Sequence, residues 1–165
     1  MRAADSLPLL DVRLRSADLD DVPLIESWIK KWSDRRVLLP QAGGALRVAL
    51  PDFRVLSPRF GPSSVLAFGA LRRYSPRLAE IRSLVVADGL HRRGLGRFLV
   101  GELLEEARRE GLRRVFVLTR APTVFERLGF ALVPRHSLPQ KVFVDCSTCC
   151  RRERCDEQAL VRNLS

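Results

Sequence analysis

Lysine is nearly missing from this chain. Lys30, Lys31 and Lys141 are the three it has, so almost all of its 29 basic residues are arginine, against 19 acidic ones. The resulting charge of +10 is spread along the whole sequence. No recognition helix, zinc-finger spacing or aromatic–basic ribbon focuses it, which argues against nucleic-acid binding as the main task. Long-range attraction of acidic ligands is the simpler use of such a field. Tyrosine occurs once, at Tyr74, and histidine twice, at His91 and His136, so few side chains can move protons near neutrality. Long apolar runs are also missing: Val65 to Leu71 is among the longest, far below the roughly 20 residues a bilayer requires. The start Met1-Arg2-Ala3-Ala4-Asp5 lacks the apolar centre of a signal peptide, so a soluble, cytoplasmic protein without a membrane partner is expected. Cysteine is absent until Cys146.

What remains is a globular composition. With 165 residues, 46% hydrophobic and 29% charged, the chain reads as a single domain over 1–165 with a Cys-rich segment at 145–157. A domain of this size buries about two thirds of its unfolded surface. Leu10 to Arg15 alternates apolar and basic residues as a first strand does, and Ser16 or Asp18 can cap a helix over Val22, Leu24, Ile25, Trp28, Ile29 and Trp32. Gln41 to Gly44 is a loop. Asp52 to Leu56 and Val65 to Arg73 form a hairpin pattern split by Pro58, Gly61 and Pro62. Arg114 to Thr119 reads as a strand, Pro122 to Leu128 as a short helix, and Ala159 to Leu164 as a final strand. The order β-α-β-β-β-α-β-α-β is that of an α/β protein: a mixed sheet with helices on both faces.

The richest stretch runs from Glu80 to Gly111. Glu80-Ile81-Arg82-Ser83-Leu84-Val85-Val86 is a strand, and His91-Arg92-Arg93-Gly94-Leu95-Gly96-Arg97 is a basic glycine loop. Gly94 to Glu110 is an amphipathic helix with Leu95, Phe98, Leu99, Leu103, Leu104 and Ala107 facing inward, Glu105 paired with Arg109 outside, and Gly111 as its C′ cap. The helix start aims unpaired N–H groups and a positive dipole end into that loop. Arginines there are disfavoured by about 0.3–1 kcal/mol each, unless an anion such as a phosphate sits among them. A Walker A loop is excluded, because no Lys-Ser or Lys-Thr follows the second glycine. A dinucleotide fingerprint fits poorly: Leu99 holds the third glycine position, and Arg113 and Arg114 stand where a ribose-binding acid is wanted.

In these residues the chain resembles the GNAT superfamily of acetyl-CoA-dependent N-acetyltransferases. That family's pyrophosphate loop is usually Arg or Gln, two residues, Gly, one residue, then Gly or Ala. Gly94 and Gly96 match it, with His91 in the first position. Arg114-Val115-Phe116-Val117-Leu118-Thr119 looks like the fifth strand, and Ala121 to Phe130, ending Glu126-Arg127-Leu128-Gly129-Phe130, like the helix that follows. The resemblance implies the GNAT fold, in which the fourth and fifth strands splay apart to admit the acyl-pantetheine. It makes acetyl-CoA the co-substrate, with Leu84, Val85 and Val86 pairing their amides with the pantetheine. His91, Arg92, Arg93, Gly94, Leu95, Gly96 and Arg97 would hold the pyrophosphate. A narrower resemblance, to the short stand-alone N-acetylglutamate synthases, rests on Leu38-Leu39-Pro40, Ala79 to Leu84, Phe116 to Thr119, Leu138-Pro139-Gln140-Lys141-Val142 and Asp145-Cys146-Ser147-Thr148-Cys149. It implies an amino-acid N-acetyltransferase that acetylates the α-amino group of glutamate, the first step of arginine biosynthesis. Gln41 stands where relatives would carry arginine, so glutamine stays open as a substrate. Another amine (a protein N-terminus, a polyamine) and a catalytically quiet acyl-CoA sensor also stay open. A homodimer is compatible with all of these readings.

Acyl transfer to an α-ammonium needs a base, and Glu80 falls where several family members carry one. The alternative is a structural partner for Arg82 or Arg72. Arg82, two residues along the strand and so on the same face, and Lys141 are the candidates for the substrate carboxylates; the alternative for each is a solvated charge. The family's thiolate-protonating tyrosine would fall at Phe125, which has no hydroxyl, leaving water or Ser83 for that role. Tyr74 reads either as an acid or base, or as an edge residue packing on the sheet. His91 is a base by type, but its place in the loop favours ligand contact; His136 reads as a surface residue. Cys146, Cys149 and Cys155 have part of the spacing of a zinc site, with Cys150, Asp145 or Asp156 as fourth ligand. Redox pairing and reduced thiols packing a loop are the other readings.

Overall fold

The computed structural model describes residues 11–41, 44–138, 145–150 and 152–165. Lys141 lies outside them, as does the stretch Pro139 to Val144. The elements run β1 (Val12–Ser16), α1 (Val22–Asp34), α2 (Ala45–Ala49), β2 (Phe53–Pro58), β3 (Ala67–Ser75), β4 (Leu78–Val86), α3 (Leu95–Arg109), β5 (Arg114–Thr119), α4 (Pro122–Glu126), β6 (Ala131–Val133) and β7 (Gln158–Asn163). The seven strands form one mixed sheet in the order β1-β2-β3-β4-β5-β7-β6, flanked by helices. The expected α/β class and mixed sheet are therefore found. Two short elements, α2 and β6, add to the sequence reading.

By packing the chain divides into two compact units, Met1–Leu71 with Ser83–Leu103, and Arg72–Arg82 with Leu104–Ser165. In the first, β1 lies antiparallel to β2, and β2 to β3. Asp18 starts the approach to α1: its carboxylate accepts from the N–H groups of Asp20 and Asp21, while Asp21 reaches back to the N–H of Asp18, forming a capping box around a 3₁₀ turn. Helix α1 then buries Val22, Ile25 and Ile29, one helical stripe, against Phe53, Val55, Phe68 and Val85. Trp28 stacks on Phe68 with centroids 5.8 Å apart. Gly69 in β3 makes room for Leu84 of β4, since a Cβ there would stand 2.7 Å from Leu84 Cδ2.

In the second unit the parallel ladder of β4 and β5 pairs Leu78 with Arg114, Ala79 with Val115 and Glu80 with Phe116. Beyond that point Val117, Leu118 and Thr119 pair antiparallel with Leu160, Ala159 and Gln158 of β7. Tyr74, Leu78, Phe116, Leu138, Ala159 and Val161 form this unit's apolar cluster. Helix α3 closes at Gly111, where φ is +77° and the Leu112 N–H reaches the Ala107 carbonyl at 3.0 Å. Glu105 on its wet face pairs with Arg108, one turn position short of the expected Arg109. Both spacings face each other on a helix, and the shorter one is used here.

Candidate active site

The chemistry-bearing side chains of the second unit gather around Glu80. Strand alternation turns Arg72 and Tyr74 of β3 to one face, and Glu80 and Arg82 of β4 to one face. Glu80 is 7% exposed and Tyr74 8%. The Tyr74 hydroxyl lies 2.8 Å from Glu80 Oε2 and 2.7 Å from Oδ2 of Asp145, a residue of the Cys-rich segment. Arg72 approaches the same Asp145 oxygen at 3.1 Å and lays its guanidinium 5.1 Å over the Tyr74 ring. The other face of the phenol is fixed by Phe116, with ring centroids 5.6 Å apart. Its body is thus packed and its polar tip is aimed at acids, the arrangement a buried tyrosine requires.

Arg82 stands 3.8 Å from Glu80 Oε2, beyond hydrogen-bond range. Burial pushes the Glu80 carboxyl above its ordinary range, because a charged carboxylate is poorly solvated there. Arg82, Tyr74 and Arg72 oppose that shift without cancelling it. Burial, then the Glu80 charge, push the Tyr74 phenol up as well. A carboxyl whose pKa is raised by burial is better suited to exchanging protons with an amine. Of the sequence candidates, Glu80 and Arg82 are brought together. Tyr74 is no plain packing residue, and nothing in the sequence marks Asp145, a candidate metal ligand and part of the tail that resembles the synthases, as its partner.

The glycine loop belongs to the first unit. Arg92 and Gly94 are left-handed, with φ of +63° and +84°. The first helical bond runs from the Phe98 N–H to the Gly94 carbonyl at 2.9 Å, which makes Gly94 the N-cap of α3. The N–H groups of Leu95, Gly96 and Arg97 therefore head the helix without intrahelical partners. Leu95 is buried, so only its amide is available to a ligand, whereas His91, Arg92, Arg93 and Arg97 are exposed. His91 Nε2 is 4.0 Å from Asp88, whose carboxylate takes an ion pair from Lys31 of α1, and Trp32 meets the His91 ring edge-on. Exposed arginines around free amides fit a phosphate-bearing ligand such as coenzyme A. Leu84, Val85 and Val86 end β4; Val85 is buried and its two neighbours half-buried. Ser83, just before them, is left-handed at φ +55°, a state that costs a non-glycine residue about 1–2 kcal/mol and interrupts the pleat as a bulge does.

Phe125 is buried against Phe130, edge to face at 5.5 Å, and offers no acid. His136 is exposed. The metal site considered for Cys146, Cys149 and Cys155 is not shown among the described residues. None of the four cysteines is in a disulfide, and among the described residues no three His, Cys, Asp or Glu side chains are grouped to hold an ion. Cys155 instead lies 3.2 Å from an Arg135 nitrogen, and burial pushes the Cys146 thiol up.

Residues 26–130 match the family model described as Acetyltransferase (GNAT) family. An uncharacterized N-acetyltransferase of Chlorobaculum tepidum is 32% identical over 158 residues, 96% of this chain and all of that protein. The amino-acid acetyltransferase of Mycobacterium tuberculosis is 32% identical over 130 residues, 79% of this chain and 74% of that one. Among solved structures, a Mycobacterium tuberculosis protein in complex with CoA superposes with a TM-score of 0.81 at 26% identity, over 93% of this chain and 99% of the other. N-acetylglutamate synthase from Neisseria gonorrhoeae, complexed with coenzyme A and N-acetyl-glutamate, superposes with a TM-score of 0.83 over 93% of this chain and 35% of that one. At 24% identity this last likeness speaks for the fold.

Proposed function

The chain belongs to the GNAT acetyltransferase family, and from that premise we propose that it transfers the acetyl group of acetyl-CoA to the α-amino group of an amino acid, with glutamate as the substrate. The observation that carries this reading is Glu80, a buried carboxyl pushed upward, with a guanidinium two residues along the same strand face. The likeness to a mycobacterial amino-acid acetyltransferase supports the substrate class.

In this mechanism each residue does what its setting allows. Acetyl-CoA supplies an activated thioester when bound. The amides at the start of α3 and the exposed Arg92, Arg93 and Arg97 hold its pyrophosphate, with His91 at the loop entrance. The amides of Leu84, Val85 and Val86 hold the pantetheine and polarise the carbonyl, a contribution commonly worth about 2.7–4 kcal/mol per donor. Arg82 binds a substrate carboxylate through its planar fork, and Lys141 is the second candidate for that task. Glu80 takes the proton that the α-ammonium must lose before its lone pair can attack. With Phe125 unable to donate, water protonates the departing thiolate.

The test is free-thiol release from acetyl-CoA with a panel of amines. Glutamate should turn over well above glutamine, aspartate and polyamines, and Glu80→Gln should abolish it across pH 7–9. Tight coenzyme binding with no turnover on any amine would instead make the chain an acyl-CoA sensor.

A further inference from the structure

One phenol hydrogen faces two carboxylates. Tyr74 can donate to only one of Glu80 Oε2, at 2.8 Å, and Asp145 Oδ2, at 2.7 Å. If both acids were ionised, the second short oxygen–oxygen approach would hold no hydrogen and would bring a negative oxygen against a lone pair. The contact is satisfied when one of the acids carries a proton and donates it to the Tyr74 oxygen. Two arrangements meet that condition: Glu80 protonated with Tyr74 donating to Asp145, or Asp145 protonated with Tyr74 donating to Glu80. They differ by one proton shift along each of the two hydrogen bonds.

We infer that Tyr74 and Asp145 are a proton relay that empties Glu80 to solvent after each turnover. This inference rests on Glu80 being the base. Glu80, having taken a proton from the substrate ammonium, passes its Oε2 proton to the Tyr74 oxygen as Tyr74 passes its own hydrogen to Asp145 Oδ2. Tyr74 ends neutral, Glu80 ends ionised, and Asp145 ends as a carboxylic acid. Asp145 keeps that proton until Glu80 takes the next one from the substrate and then releases it to water, so one acid of the pair always carries a proton, and no electrons change hands. The burial gradient runs the right way: the Glu80 side chain is 10% exposed and that of Asp145 is 38%. The charged and titratable groups facing this path are Arg82 and Arg72 from the two strands and Cys146 beside Asp145. Neither relay residue touches the amine; both act through Glu80.

The experiment uses the full chain, acetyl-CoA and glutamate, with Tyr74→Phe, Asp145→Asn and the double variant. The relay predicts a kcat loss of about tenfold or more in each single variant with KM for both substrates unchanged. The double variant should lose no more than either single one, since the steps lie in series. The solvent deuterium effect on kcat should change, and Asp145→Glu should restore much of the rate. A wild-type kcat in Tyr74→Phe, or additive losses with an unchanged isotope effect, overturns the relay. Activity retained in Glu80→Gln overturns the base assignment beneath it. A readout independent of turnover exists because Tyr74 is the single tyrosine of the chain. Its ultraviolet titration should shift to lower pH in Asp145→Asn if the hydroxyl is held by that acid, and an unmoved titration overturns the inference. Asp145→Asn, at a half-exposed site, keeps the question decidable should Tyr74→Phe fail to fold.

Discussion

Two places in this molecule set an arginine against a buried carboxylate, and they do opposite things with it. At the entrance to α1, Arg15 grips Asp21 with its two terminal nitrogens, at 2.6 and 2.8 Å, while the Asp18 N–H adds a third bond. The Arg15 hydrogen bond, only partly offset by burial, holds the Asp21 carboxyl below its usual range. Both carboxylate oxygens accept, and the ion is locked on. Around Glu80 the nearest guanidinium stops at 3.8 Å, burial outweighs the attraction, and the carboxyl moves upward. A phenol replaces the guanidinium as the close partner. A carboxylate whose charge is saturated by a fork of donors is a fastener, whereas one whose charge is left costly is ready to accept a proton.

The contrast can be broken by substitution. Glu80→Gln should lower kcat by roughly 10²–10⁴-fold, whereas Asp21→Asn should leave kcat at the wild-type level once folded protein is compared. Asp21→Ala removes charged hydrogen bonds and half of a capping box, so urea denaturation should show a loss of about 2 kcal/mol. The two acids should also respond to pH with opposite sign. Asp21, held low, gives stability that is present above the ordinary aspartate range and lost as pH falls through its lowered value. Glu80, held high, costs nothing in acid. Its penalty grows as pH rises past the ordinary glutamate value, where the unfolded chain ionises first. Thermal melts should therefore show Glu80→Gln gaining on the wild type as pH rises from 4 to 8, and Asp21→Asn losing ground as pH rises toward the ordinary aspartate value of about 3.9. Equal pH slopes in the two variants would erase the distinction. The smallest effect belongs to the exposed pair: Arg108→Ala should cost no more than about 0.5 kcal/mol, and less in high salt.

Much of this architecture was readable in one dimension. The strand at Glu80 to Val86, the loop at His91 to Arg97, the long helix after it and its Gly111 cap depend on neighbours a few residues away, which periodicity and capping chemistry report directly. So does the shared face of Glu80 and Arg82. Shorter elements escaped because five residues in α2 and three in β6 are too few to show a period. The left-handed Ser83 escaped too, since nothing in a serine's chemistry asks for that backbone.

What the sequence alone determined is thus the fold family and the place of Glu80 and Arg82 on one strand face: local patterns that each segment carries within itself. What only the tertiary structure decided is the company that acid keeps. Tyr74 stands six residues from Glu80 and Asp145 stands 71 residues from Tyr74, yet one hydroxyl touches both. No local pattern encodes that meeting, because it depends on how β3, β4 and the Cys-rich segment close on one another. Burial, which raises the Glu80 carboxyl above its ordinary range, exists only once the chain has folded around it.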